Sequence, residues 1–145
     1  MTRTKFSRTV EIPAPPSVVW SVMEDVERWP EWTASVSRVK RLSPAPLQVG
    51  SRVRIHQPKL PPAFWRVTEL NAGAGFTWVS RAPGVRVTGR HTAEGAGSGT
   101  RVTLSISYEG LLSRPLAWWT GDLNEHYLAL EADGLKGRCC ELGER

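Results

Sequence analysis

The sequence predicts an α+β domain: a curved, seven-stranded antiparallel sheet wrapped around one long C-terminal helix, with two short helices after the first strand. Three observations predict it. Seven segments alternate apolar and polar residues with period two, and turn residues separate them. After Ser113 the period changes to steps of three and four and holds almost to the C-terminus. Along the strands the apolar residues share one parity and the arginines the other, so the sheet has one dry and one wet face. Seven strands at roughly 4.8 Å each are far wider than a helix about 10–12 Å across, so the sheet must curl around the helix or leave apolar surface bare. A curled sheet gripping a helix too slim to fill it leaves a hollow walled by apolar side chains, the usual form of a small-molecule site.

FSRTVEI (6–12) is the first strand, closed by Pro13-Ala14-Pro15-Pro16. Proline suits a helix entrance, where its missing N–H costs nothing. From Ser17 to Arg28, the residues Val19, Val22, Met23 and Val26 recur at helical spacing opposite Ser21, Glu24, Asp25 and Arg28, which predicts an amphipathic helix stopped by Pro30. Strands follow at 34–42, 51–57, 63–70, 75–81, 85–94 and 100–110, joined by turn segments such as Asn71-Ala72-Gly73-Ala74 and Pro83-Gly84. These connections suit consecutive hairpins, so a meander is the economical topology. In the last segment Ser113 is an N-cap with Pro115 in the first turn, and Leu112, Leu116, Trp119, Leu123, Tyr127, Leu130 and Gly134 mark the expected apolar stripe. Gly121 and Gly134 each cost about 1 kcal/mol against alanine in a helix interior, which makes Gly121 the weakest point of that helix.

With 145 residues the chain has the length of one domain, so 1–145 is expected to fold as a single unit. The N-terminal MTRTKFSRTVEIP lacks the apolar stretch of a secretory signal, and no run approaches the ~20 apolar residues of a spanning helix. A cytoplasmic location without a transmembrane segment is the expectation. Cys139 and Cys140 are sequence neighbours that cannot staple distant segments and lack the spaced partners of a zinc site, so both are expected to be reduced. The net charge of +5 is not gathered in any Lys/Arg block but scattered over the strands.

Strand parity nominates the interior. Val53, Ile55 and Gln57 share the dry face with Trp65, Val67 and Glu69 of the next strand, then with Phe76, Trp78 and Ser80. Val87, Gly89 and His91 continue it, followed by Leu104, Ile106 and Tyr108. From the long helix, Trp119, Leu123 and Tyr127 are expected to close the cavity. Polar groups buried among these residues need partners, either one another or a ligand. His91 stands out because a neutral imidazole takes or gives a proton near neutral pH, and Tyr108 on the neighbouring strand is placed to polarise a carbonyl. A histidine satisfied by a core partner is the plainer account of His91. Glu69, near a strand end, is expected to reach water.

The order strand, broken helix pair, six strands and long helix comes with VEIPAPPSVVW (10–20), DVERWPEW (25–32), VGSRVR (49–54), FTW (76–78), GTRVT (99–103) and EADGLK (131–136). Together these resemble the polyketide cyclase/dehydratase branch of the START-like, helix-grip (SRPBCC) superfamily over nearly the whole chain. The resemblance implies a helix-grip fold, and roles that range from aromatic polyketide cyclisation and dehydration to lipid and hormone binding. It also implies that Trp29 and Trp32, at the corner between the first two helices, pack against the inner mouth of the sheet near the end of the long helix. There they plug one end of the cavity or line a ligand's entrance, with Trp20 anchoring the first helix.

No G-x-S-x-G, H-E-x-x-H, phosphate-binding glycine loop or C-x-x-C is present. His56 and His91 lie on opposite parities and His126 is on the helix, so neither a metal site nor a cofactor is expected. The expected partner is a hydrophobic, aromatic or polycyclic small molecule, held in the cavity with or without cyclase/dehydratase chemistry at His91 and Tyr108. The alternative is an anion-facing adaptor that meets RNA or acidic lipid through the basic outer face. An RNA-binding sheet stacks bases on exposed aromatics, whereas here the aromatics share the apolar parity, which argues against nucleic acid.

Overall fold

The computed structural model describes residues 4–143. Strand β1 (Lys5–Ile12) leads into helix α1 (Pro16–Glu24) and a 3₁₀ helix (Val26–Glu31). The meander β2 (Arg38–Arg41), β3 (Arg52–His56), β4 (Ala63–Asn71), β5 (Gly75–Ala82), β6 (Val85–Ala96) and β7 (Gly99–Glu109) follows, and α2 (Ser113–Gly143) closes the chain. β1 returns beside β7, giving an antiparallel sheet of order β1-β7-β6-β5-β4-β3-β2 that curves around α2. Outside the second half of β4 and Thr88, which is buried, the parity reading holds on both faces. Val53, Ile55, Trp65, Val67, Phe76, Trp78, Leu104 and Tyr108 are buried, while Arg52, Arg66, Arg86, Arg90 and Arg101 are exposed. On that wet face Arg101 pairs with Glu11 and Arg86 with Glu109, each at 2.7 Å.

Four expectations need correction. The first helix ends at Glu24 rather than Arg28, because Asp25 leaves helical geometry and Trp29 folds back so that its indole Nε1 donates to the Met23 carbonyl at 3.1 Å. That carbonyl belongs to the last turn, where no helical N–H remains to satisfy it. The second strand begins at Arg38, not residue 34, since Thr33 and Ser35 bond each other through their hydroxyls at 2.8 Å and hold the preceding chain in a buried turn. A bulge between Val67 and Glu69 reverses the parity of β4, so Leu70 turns inward and Glu69 is exposed.

The stripe of α2 is the fourth. Its buried side runs through Ser113, Ala117, Asn124, Leu128, Ala132, Leu135 and Cys139. Trp119 is 82% exposed and Leu123 only half-buried. The helix lies close against β1 and β7, with the Phe6 ring 3.5 Å from the point a Gly121 Cβ would occupy, and small residues allow that approach where a tryptophan would not.

Candidate functional site

Two adjoining hollows open between α2 and the concave face. The inner chamber, about 60 Å³, is walled by Trp29, Val36, Ile55, Trp78, Gly89, His91, Leu104, Leu128 and Glu131. The outer chamber, about 300 Å³, lies between the β3–β4 loop, the β5–β6 turn and the first turns of α2. Val85, Val87, Tyr108, Leu116, Thr120 and Asn124 line it, together with Leu60, Pro61 and Phe64. Gln57, Trp65 and Ile106 border both chambers. The combined space sits at the lower end of the roughly 300–1,000 Å³ typical of small-molecule sites.

Aromatic packing accounts for the narrowness of the inner end. The Trp29 ring lies 5.4 Å from Trp78 and 5.4 Å from His91, and Trp65 lies 5.6 Å from Trp78. Phe76 stacks face to face on the His91 imidazole at 4.4 Å. Such ring pairs contribute about 0.5–1.5 kcal/mol each beyond the area they bury. Gly89 makes room for this cluster, since a Cβ there would meet the Trp78 indole at 2.8 Å. Trp32 packs on Trp29 at 5.5 Å and presses its carbonyl onto Gly134 of α2. Both rings stand at the plugged end, near the C-terminal half of the long helix.

His91 faces a carboxylate that strand parity did not nominate. Its Nε2 lies 3.3 Å from Oε1 of Glu131, and both side chains are largely buried, at 7% and 13% exposure. The Nδ1 atom has no partner among the described residues. With Nε2 turned to the carboxylate, the proton of a neutral ring belongs on Nε2, and Nδ1 keeps its lone pair. The Trp65 indole Nε1 is likewise buried without a partner, whereas the Gln57 amide donates to the Ser35 carbonyl at 3.2 Å.

Tyr108 belongs to the other chamber. Its hydroxyl lies 2.8 Å from Asn124 Nδ2 and 3.2 Å from Thr120 Oγ1. In the β6–β7 register His91 faces Leu104 while Tyr108 faces Val87, four residues away and so about 13 Å along the strand. The structure therefore does not bring His91 and Tyr108 together.

The remaining nominated residues divide. Val53 and Val67 are core residues that touch neither chamber. Tyr127 is buried, and its hydroxyl donates to the Pro58 carbonyl, pinning the β3–β4 loop to α2; burial raises the pKa of its phenol. Trp119 and Leu123 lie outside the chambers, in a surface groove against Lys59, Leu60 and Pro61. Glu131, Asn124 and Thr120 were missed because they are polar members of the face that Ala117, Leu128, Ala132 and Leu135 carry into the core, while the larger residues of another face drew the stripe. The series Leu128, Ala132, Leu135 and Cys139, at helical spacing, is the signal that could have found that face.

The sequence profile described as "Polyketide cyclase / dehydrase and lipid transport" matches residues 3–136. The chain belongs to this polyketide cyclase/dehydrase and lipid transport family. No curated protein matches the sequence. In structure this family member is similar to a START superfamily protein from Mycobacterium smegmatis, with a TM-score of 0.74 and 18% identity over 95% of this chain and 98% of that one. It is also similar to TTHA0849 from Thermus thermophilus, at a TM-score of 0.75 and 20% identity over 95% and 98%. A third likeness is to the di-domain ARO/CYC StfQ from the steffimycin biosynthetic pathway, at 0.76 and 11% over 98% of this chain and 52% of that one. These likenesses establish the helix-grip START fold. Among the described residues no group of His, Cys, Asp or Glu could hold a metal ion, and no helix is long and apolar enough to cross a membrane.

Proposed function

We propose that the protein binds a hydrophobic, ring-containing small molecule in the outer chamber. The supporting observation is the outer hollow of about 300 Å³, bordered by apolar side chains and by a Trp65 whose buried N–H lacks a protein partner. A buried donor without an acceptor costs about 1–3 kcal/mol, which a guest oxygen placed there would recover. An anilinonaphthalene dye and a set of polycyclic phenols, titrated against the protein's own fluorescence, are expected to bind saturably. Ile106→Trp, which fills the passage between the chambers, should weaken them at least tenfold. Non-saturable uptake, or equal affinity in the variant, would sink the reading.

A second reading, cyclase/dehydratase chemistry, draws on the His91–Glu131 pair. Nδ1 of His91 takes an α-proton from a poly-β-ketone while Glu131 steadies the imidazolium that forms, and the proton returns to the hydroxyl lost as water. Tyr108 is too far along the strand to share that carbon and would touch the opposite end of the substrate. His91→Gln should abolish formation of a cyclised product. His91→Ala also removes the ring contacts to Trp29, Phe76 and Trp78 and lowers the thermal midpoint whatever the chemistry, so turnover that survives in His91→Gln is the result that would mark His91 as a packing residue.

A further inference from the structure

The three most exposed large apolar side chains, with Leu112 beside them, gather where β7 gives way to α2. Leu111 is 95% exposed, Leu112 51%, Trp118 77% and Trp119 82%. Pro115, between them, is exposed as well. Within α2, Pro115 and Trp118 lie on one strip and Leu116 and Trp119 on the next at helical spacing, and Leu111 and Leu112 occupy the turn just before the helix, so the corner is apolar along both strips. Asp122 and Glu125 come only after them on the first of those strips. Monomeric proteins rarely leave such a patch bare without a partner for it.

The patch adjoins the ligand chamber. Across a groove of about 640 Å³ from Trp119 lie Lys59, Leu60 and Pro61, and this groove shares Leu60, Pro61, Leu116 and Thr120 with the outer chamber. Its charges are mostly basic: Lys59, Arg81 and Arg114 make no ion pair among the described residues and outnumber Asp122 on the groove wall, while the nearby carboxylate of Glu109 is paired with Arg86 at 2.7 Å. The start of α2 adds the positive end of a helix dipole. Exposed tryptophan favours one environment in particular, the boundary between lipid headgroups and acyl chains, where the ring is half in oil and its N–H half in water.

We propose that the β7–α2 corner docks the protein on an anionic membrane surface. Leu111, Leu112, Trp118 and Trp119 enter the interfacial layer, and Lys59, Arg81 and Arg114 meet lipid phosphates. Docking in this way turns the mouth of the outer chamber toward the bilayer, so a hydrophobic guest passes between lipid and protein without crossing water. That consequence rests on the ligand-binding reading; the docking itself does not.

The test is co-sedimentation with vesicles of phosphatidylcholine, with and without phosphatidylserine. Binding is expected only with phosphatidylserine, falling as salt is added. The double variant Leu111→Ala/Trp118→Ala, altered at two exposed positions that line neither chamber, should bind about tenfold more weakly or worse, with an unchanged thermal midpoint. Binding to both vesicle types alike, equal binding by the variant, or no sedimentation at all overturns the proposal. So does a dimer that the double variant dissolves, because a second copy would then cover the patch. Dye titration of the same variant separates the two proposals: docking lost with dye affinity intact in wild type and variant bears on the surface alone, and dye binding absent in both bears on the chamber alone.

Discussion

Gly134 and Gly121 both interrupt α2, and alanine should act on them in opposite directions. At Gly121 a new Cβ would sit 3.5 Å from the Phe6 ring, an ordinary contact, so the variant gains the helix propensity of alanine, about 0.5–1 kcal/mol. At Gly134 the same atom would overlap the Trp32 carbonyl, which is backbone and cannot rotate aside. Overpacking costs about 1–3 kcal/mol, and a rigid neighbour argues for the upper end. Subtracting the propensity gain leaves a net loss of roughly 2 kcal/mol. At about 3 °C per kcal/mol for a chain of this size, Gly134→Ala should lower the thermal midpoint by about 6 °C and Gly121→Ala raise it by about 2–3 °C. Circular dichroism at helical wavelengths during heating reads both. Equal stabilisation by the two alanines would mean that α2 does not press on the Trp29–Trp32 corner, and the account of the plugged end would fail with it.

Three other outcomes follow from individual contacts. Burial pushes the Cys139 thiol up to about 12, with the charge of neighbouring Cys140 adding to the effect. Its unfolded thiol ionises near 9, so stability is intact below that pH and declines between about 9 and 12; alkaline unfolding followed by fluorescence should lose this component in Cys139→Ala, and an unaltered pH profile would refute it. Tyr108→Phe removes the hydroxyl that Asn124 and Thr120 share, and about 1–2 kcal/mol should disappear from urea unfolding at constant slope; no change would show that the cluster contributes nothing. Gly89→Ala forces the Trp78 indole to shift into the inner chamber, so dye binding should persist while any His91-dependent turnover falls, and parallel loss of both would show the chambers to be one site.

Strand content was readable because β3, β5, β6 and β7 largely follow a two-residue rule that requires only that one face be dry, with Thr88 the exception on the outer parity. The bulge in β4 was not readable: the run Val67-Thr68-Glu69-Leu70 contains no glycine or proline to mark an inserted residue, and its signature appears only in the pairing with β5. The face of α2 was misread for a related reason. Large apolar residues suggest burial when counted along a helix, but α2 turns Ser113, Ala117 and Asn124 inward in its first half and Leu128, Ala132 and Leu135 in its second, and leaves Trp118 and Trp119 outside. His91 was visible from parity alone, since a strand fixes which way each side chain points. Glu131 was not, because its meeting with His91 depends on the rotation of a helix forty residues downstream. The family resemblance included Glu131 within EADGLK without giving it a role.

The division of the interior limits what a guest can be. About 60 Å³ beside His91 and Glu131 admits a few waters or a narrow oxygen-bearing arm, not a ring system, because five aromatic rings already occupy that end. About 300 Å³ beside Val87, Ile106 and Tyr108 admits rings. A molecule that uses both must be bulky and apolar toward the mouth and slim and polar toward the depth, threading past Gln57, Trp65 and Ile106. Simple binding needs only the first half of that description, whereas proton transfer between His91 and a guest held in these two chambers needs both halves. The shape of the tightest ligand therefore discriminates between the two functional readings: affinity that grows with ring area alone favours a carrier, and affinity that also requires a carbonyl-bearing tail favours an enzyme.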